Sequence, residues 1–145
     1  MKKILVIHGP NLNMLGKREP EVYGSTTLAE IDARLVELGG TMDMSVETFQ
    51  SNHEGEIVTR LQDAMGDVDG IIINPAAYTH TSVAIRDALL LHKVPVIECH
   101  ISNVFKREAF RHKSVVSDIA AATMCGFGDQ GYDLALRGLA AMLAG

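Results

Sequence analysis

A single loop, Gly9-Pro10-Asn11-Leu12-Asn13-Met14-Leu15-Gly16-Lys17-Arg18-Glu19-Pro20-Glu21-Val22-Tyr23-Gly24, holds an amide at its base and, near its far end, a guanidinium and a phenol five positions apart. These are parts for taking a proton from carbon beside an anionic substrate. A phenol titrates at about 10 when unperturbed and is a poor base at neutral pH unless a cation stabilises its anion. Arg18 can supply that cation to Tyr23, and each unit of lowering corresponds to about 1.36 kcal/mol in favour of phenolate. From spacing alone, an exposed Arg18 with Tyr23 packed on the loop base is the commoner arrangement.

Further polar groups gather where short apolar runs end: Asn11, Asn74 in Asn74-Pro75-Ala76-Ala77-Tyr78-Thr79-His80, and Glu98-Cys99-His100-Ile101-Ser102. His100, expected just past a strand terminus, suits a general acid because its unperturbed pKa is about 6.5. A hydrogen-bonded structural histidine fits the same position, and Glu98 can equally orient its neighbourhood or cap a turn. Asn11 and Asn74 each offer a donor and an acceptor to a carbonyl or a water, although turns use asparagine for their own reasons. Arg111 and the backbone amides of Ile101 and Ser102 could grip a carboxylate, the arginine by its bidentate fork; a surface arginine is the plainer alternative.

The elements that must position these groups alternate between apolar runs and helix-period segments, the pattern of a parallel sheet covered on both faces. Strands are expected at Lys3 to Ile7, Met42 to Phe49, Gly70 to Asn74, Pro95 to Glu98 and Ala121 to Cys125. Thr27-Leu28-Ala29-Glu30 is a capping box opening a helix to about Leu38, stopped by Gly39-Gly40; Ser51-Asn52-His53-Glu54 is a second, opening a helix to about Met65. Further helices are expected over Thr81 to about His92 and Gln130 to Leu143, with an irregular stretch and a short helix between Ile101 and Asp118. Five strands in this order suggest a single-domain α/β fold with a flavodoxin-like, doubly wound five-stranded parallel sheet, in which ligands bind outside the carboxyl ends of the strands.

Composition narrows the classes. The 145 residues fit one domain, and 47% hydrophobic with 21% charged content describes an ordinary globular chain. A net charge of −5 argues against nucleic acid as a partner. The apolar run Ile4 to Ile7 is too short for a signal-peptide core, and no stretch approaches the roughly 20 apolar residues of a membrane span, so a cytoplasmic location without membrane attachment is expected. Cys99 and Cys125 lack metal-ligand spacing and read as two reduced, buried thiols on neighbouring strands.

Taken together, Gly9-Pro10-Asn11-Leu12-Asn13, Arg18-Glu19-Pro20-Glu21-Val22-Tyr23-Gly24, Gln50-Ser51-Asn52-His53-Glu54-Gly55, Asn74 to Ser82, Glu98 to Asn103 and Phe110-Arg111 resemble type II 3-dehydroquinate dehydratase, from the first strand to the last helix. The resemblance implies reversible loss of water from 3-dehydroquinate to give 3-dehydroshikimate in the shikimate pathway, through an enolate, with no Schiff base and no metal or organic cofactor. By the same analogy Tyr23 is the base, Arg18 favours its phenolate, and Asn11 stabilises the enolate oxygen through a water. His100 protonates the departing hydroxyl, with Asn74 and Glu98 keeping it oriented. His80, Asp87, Ile101, Ser102 and Arg111, with Asn74, hold the substrate. The loop from about 13 to 23 closes as a lid, and the assembly is a homo-oligomer, a dodecamer built from trimers.

Two positions depart from the family pattern: His8 stands where asparagine is common and Cys99 where valine is common. Both flank site residues. Competing folds fail on particular residues. The type I enzyme of this reaction uses a lysine on a barrel of about 250 residues; a receiver domain would show an acidic pair after the first strand and an aspartate ending the third, where Gly9-Pro10 and Asn74 stand. A flavodoxin would want a Ser/Thr-rich phosphate loop after the first strand, which His8 to Leu15 does not offer. A module that only binds a carboxylate is the remaining non-enzyme reading.

Overall fold

Both faces of a parallel sheet need apolar side chains when helices cover both, and the strands here meet that demand by alternation. The computed structural model describes residues 1–17, 21 and 24–145. Its strands are β1 (Lys2–His8), β2 (Met44–Gln50), β3 (Gly70–Asn74), β4 (Val96–His100) and β5 (Ala122–Cys125), all parallel in the order β2-β1-β3-β4-β5. The helices are α1 (Leu28–Thr41), α2 (Glu54–Asp63), α3 (Val83–Leu90) and α4 (Gln130–Ala144). Ile4, Val6, Ile72 and Ile97 meet Ile31 and Leu35 of α1 and Leu136 and Leu139 of α4 on one side. Leu5, Ile7, Ile71 and Ile73 meet Ile57 and Leu61 of α2 and Ile85 and Leu89 of α3 on the other.

This is the doubly wound sheet expected from the sequence, with strand order reversing between β1 and β3. His8 and Asn74 are register partners across that switch point. None of the described helices is long and apolar enough to cross a membrane. Both cysteines are free and lie on neighbouring strands, but only Cys99 is buried; Cys125 is half-exposed on the outermost strand.

Several boundaries differ from the sequence reading, each for a physical reason. Thr27 caps α1 by accepting from the Glu30 amide at 3.2 Å, but Gly39 and Gly40 lie inside the helix and do not stop it. Gly39 is there for space: a Cβ on it would meet Val46 Cγ2 at 2.5 Å, where α1 presses on β2, whereas one on Gly40 would meet nothing. The second box is displaced, since Ser51 Oγ accepts from His53 N at 2.9 Å and donates to the Glu56 carboxylate, two residues beyond Glu54. That helix ends at Asp63, and α3 starts at Val83 because Ser82 Oγ caps the Ile85 amide at 2.9 Å. The segment between β4 and β5 carries two 3₁₀ turns, Val104–Lys106 and Ala109–Arg111.

The adjacent glycines give a paired test. Gly39→Ala is expected to destabilise by about 1–3 kcal/mol, because a β-branched valine cannot swing aside. Gly40→Ala should be neutral or stabilise by up to about 1 kcal/mol through the lower entropy of the unfolded chain. Urea unfolding of both variants checks the contrast, and equal losses would show that Gly39 is not a packing glycine.

Candidate active site

Strand pleating decides what each carboxyl end offers. His8 follows Ile4 and Val6 on the face covered by α1 and α4, and Asn74 follows Ile72 on the same face. Glu98 and His100 follow Val96, whose face is the opposite one.

Glu98 is 1% exposed, and its carboxylate collects donors. Oε2 accepts from Thr79 Oγ1 at 2.6 Å and from His100 Nε2, Oε1 accepts from Ser117 Oγ at 2.6 Å, and Ser114 Oγ lies 3.0 Å from both oxygens. Burial by itself would raise the Glu98 pKa; the bonds from His100, Ser117 and Thr79 outweigh it and bring it down to about 2. An ionised carboxylate only accepts, so His100 Nε2 is the donor and Nδ1 is the ring atom left to handle a ligand's proton. His100 is the last residue of β4 rather than a residue beyond it, and its ring is held against the strand.

A cavity of about 450 Å³ opens over the switch point, lined by Asn11, Asn74, His80, His100, Ile101, Ser102 and Arg111 among others. Seven of the proposed site residues therefore converge. His80 Nδ1 must donate to Lys113 O at 2.8 Å, since a carbonyl only accepts, which leaves its Nε2 for a ligand. Arg111 donates Nε to Glu108 Oε1 at 3.1 Å and stacks 5.1 Å from the Phe110 ring centre, so its fork is oriented before any anion arrives. Arg107 lines the same cavity as a second cation. Asn11 sits at φ 70 and Ala76 at φ 53, left-handed conformations that cost non-glycine residues of order 1–3 kcal/mol and cluster at functional sites.

The proposed residues are not all gathered there. Asp87 is exposed on α3 and does not line this cavity. Arg18 and Tyr23, and with them much of the proposed lid, lie outside the described residues. Asn74 bonds to Tyr132 and to the Ala76 amide and not to His100.

Several supporting residues escaped the sequence reading. Thr79, Ser114 and Ser117 serve the carboxylate from loops, and no periodicity marks a loop hydroxyl. Gln50 and Asn52 do have a signal, being polar residues at the end of β2. Asn52 Oδ1 accepts from the Asn11 amide at 2.9 Å and from Gln50 Nε2 at 3.2 Å, and Gln50 Nε2 also donates to Gly9 O at 3.1 Å, which fixes the base of the first loop.

Comparisons with known proteins point to one family. The family model described as Dehydroquinase class II matches residues 2–140. The chain is 56% identical over 144 residues to the 3-dehydroquinate dehydratase of Saccharophagus degradans, covering 99% of each chain. It is also 56% identical over 139 residues to the catabolic 3-dehydroquinase of Aspergillus oryzae, covering 96% of this chain and 91% of that one. The crystal structure of type II dehydroquinase from Propionibacterium acnes superposes with a TM-score of 0.93 at 46% identity, covering 97% of both chains.

The lowered Glu98 pKa fixes a pH dependence. A carboxylate whose folded value is about 2 against an ordinary 4.5 stabilises fully above 4.5 and loses that contribution as pH falls toward 2. Glu98→Gln is expected to cost about 3 kcal/mol near neutral pH. The gap from the parent protein should narrow by about pH 3 in urea unfolding; a gap independent of pH would mean that the carboxylate is not held ionised by its donors.

Proposed function

The chain belongs to the class II dehydroquinase family, and on that premise we propose that it removes water from 3-dehydroquinate through an enolate, with Tyr23 as base and His100 as acid. The observation that carries the reading is the buried, ionised Glu98 bonded to Nε2 of His100, which lines the same cavity as Asn11, Asn74 and Arg111. Such a carboxylate fixes the tautomer of the imidazole and leaves Nδ1 to carry a proton into the cavity.

The steps balance with side chains alone. The Tyr23 phenolate, favoured by Arg18, takes a proton from the carbon beside the ketone, and the electron pair moves onto the carbonyl oxygen. Asn11, through a water, stabilises that oxygen as an oxyanion hole would. The enolate then re-forms its carbonyl as the neighbouring C–O bond breaks, and the hydroxyl leaves as water with the proton from His100. Two cations, Arg111 and Arg107, support carboxylate binding at the cavity, as does the free Nε2 of His80. Asp87 remains a proposed substrate contact on family likeness alone. The dodecamer of trimers is proposed on family likeness; Phe105, Phe110 and Phe127 are exposed and offer apolar surface for a second copy to cover.

Mixing the purified protein with 3-dehydroquinate should generate the ultraviolet absorbance of a conjugated enone, and its absence would end the proposal. Tyr23→Phe is expected to lower kcat by about 10²–10⁴-fold, the usual range for a positioned acid or base, while substrate still binds. Near-normal turnover would remove Tyr23 from the role of base. Borohydride added with substrate should leave every lysine at its original mass, and a covalent adduct would contradict the enolate route.

A further inference from the structure

Behind the cavity, Asn74 is one end of a buried hydrogen-bond chain. Its direction follows from a single backbone amide. Ala76 N lies 3.0 Å from Asn74 Oδ1 and can only donate, so the carboxamide oxygen must be the atom on that side. Asn74 Nδ2 therefore faces Tyr132, and the phenol oxygen accepts from it at 3.0 Å. The hydroxyl has one proton left to give, and the group 3.0 Å away is His8 Nδ1. His8 must then be an acceptor at Nδ1 and carry its proton on Nε2, which donates to Asp32 Oδ1 at 2.8 Å.

Every link inside the protein is held dry. His8 and Tyr132 are fully buried and Asn74 is 3% exposed, whereas the Asp32 side chain reaches solvent. Burial pushes the Tyr132 phenol well above its ordinary pKa, so the hydroxyl keeps the proton that the chain requires. The alternative direction, with Nδ1 of His8 protonated, would leave the buried Tyr132 hydroxyl proton with only the Asn74 side chain to accept it. The carboxamide would have to flip, leaving the Ala76 N–H facing an NH₂ group.

We propose that His8, Tyr132 and Asp32 are positioning residues that, together with the Ala76 amide, fix which way the Asn74 carboxamide faces, and so aim its second N–H at the bound substrate. The inference rests on the reading above that Asn74 contacts substrate. None of the three needs to touch the reacting atoms, and Asp32, on the outer end of the chain, anchors it by accepting from His8. The two nitrogens of the His8 ring join Tyr132 to Asp32, so the histidine links α1 to the cavity.

The test uses Asp32, the member farthest from the site. Asp32→Leu removes the acceptor and should raise KM by about tenfold with a smaller change in kcat, the size expected when a buried polar group loses its partner. Asp32→Asn keeps an acceptor oxygen and should restore KM to within about twofold of the parent. In an Asn74→Ala background the leucine substitution should have no further effect on KM, because nothing is left to aim. An unchanged KM in folded Asp32→Leu, failure of the asparagine to rescue, or full additivity with Asn74→Ala would each overturn the proposal. If the leucine variant does not fold, ¹⁵N spectra of histidine-labelled parent protein decide, with His8 assigned from a His8→Asn variant. Protonated Nε2 with bare Nδ1 supports the chain, and a protonated Nδ1 refutes it. A parent protein inactive on 3-dehydroquinate would instead defeat the functional reading, while the spectra still report on the chain's direction.

Discussion

Taking a carboxylate out of water costs several kcal/mol unless other groups replace the solvent, and the end of β4 is organised around meeting that cost at Glu98. The replacements come from four residues on three separate segments of the chain, Thr79, His100, and Ser114 with Ser117. Ser114 is committed further, since its Oγ accepts from the amides of Val116 and Ser117 at 3.0 and 3.1 Å. The long crossing from β4 to β5, which has only two short turns of its own, thereby acquires a fixed course. Val115 N donates to Thr79 O at 2.8 Å, and Arg86 of α3 donates to Val115 O at 2.9 Å along the same stretch. The anion that orients the imidazole also shapes the wall beside it.

Strand parity separates this network from the one behind Asn74. Glu98 and His100 share a face with Val96, while His8 and Asn74 share the other with Val6 and Ile72. Two polar systems thus reach one cavity from opposite sides of a single sheet without competing for the same donors. The second depends on how α1 and α4 are held together, since one carries Asp32 and the other Tyr132. Arg34 does this: its Nε and Nη2 fork onto Asp133 at 2.7–2.9 Å, and Nη1 reaches Asp129 at 2.8 Å. Bidentate guanidinium pairs fix geometry as well as charge, and this one lies two residues from Asp32 and one from Tyr132.

What could be read from the sequence follows from how local each signal is. The alternation of Ile4 to Ile7 and Gly70 to Asn74, and the cap at Thr27, depend on neighbours in the chain, and the sheet order followed from them. Gly39 was misread because its reason lies across the fold, in Val46 of β2; a glycine kept for close approach looks the same in sequence as one that ends a helix. His8 stood out as a departure from family pattern, yet its partners Asp32 and Tyr132 are 24 and 124 positions away. Asn11, Asn74, Glu98 and His100 were legible because strand ends concentrate ligands in this topology. Their hydroxyl partners were not, because serine and threonine in loops carry no periodicity.

The backbone strain at the cavity has a structural origin of its own. Gly9 packs so closely on the turn after β3 that a Cβ there would meet Pro75 O at 2.3 Å, and Gly9 N donates to Asn74 O at 2.7 Å. The loops leaving β1 and β3 are thus joined backbone to backbone across the switch point. To diverge from that contact and open a cavity between them, each must turn sharply within two residues. Asn11 does so on one side and Ala76 on the other, both in the left-handed region. The turn at Ala76 brings its own N–H back onto Asn74 Oδ1, so the strained residue supplies the donor that fixes the carboxamide. A conformation costing of order 1–3 kcal/mol therefore does two things at once: it opens the space for a ligand, and it joins the Tyr132 contact in deciding which atom of Asn74 can address it.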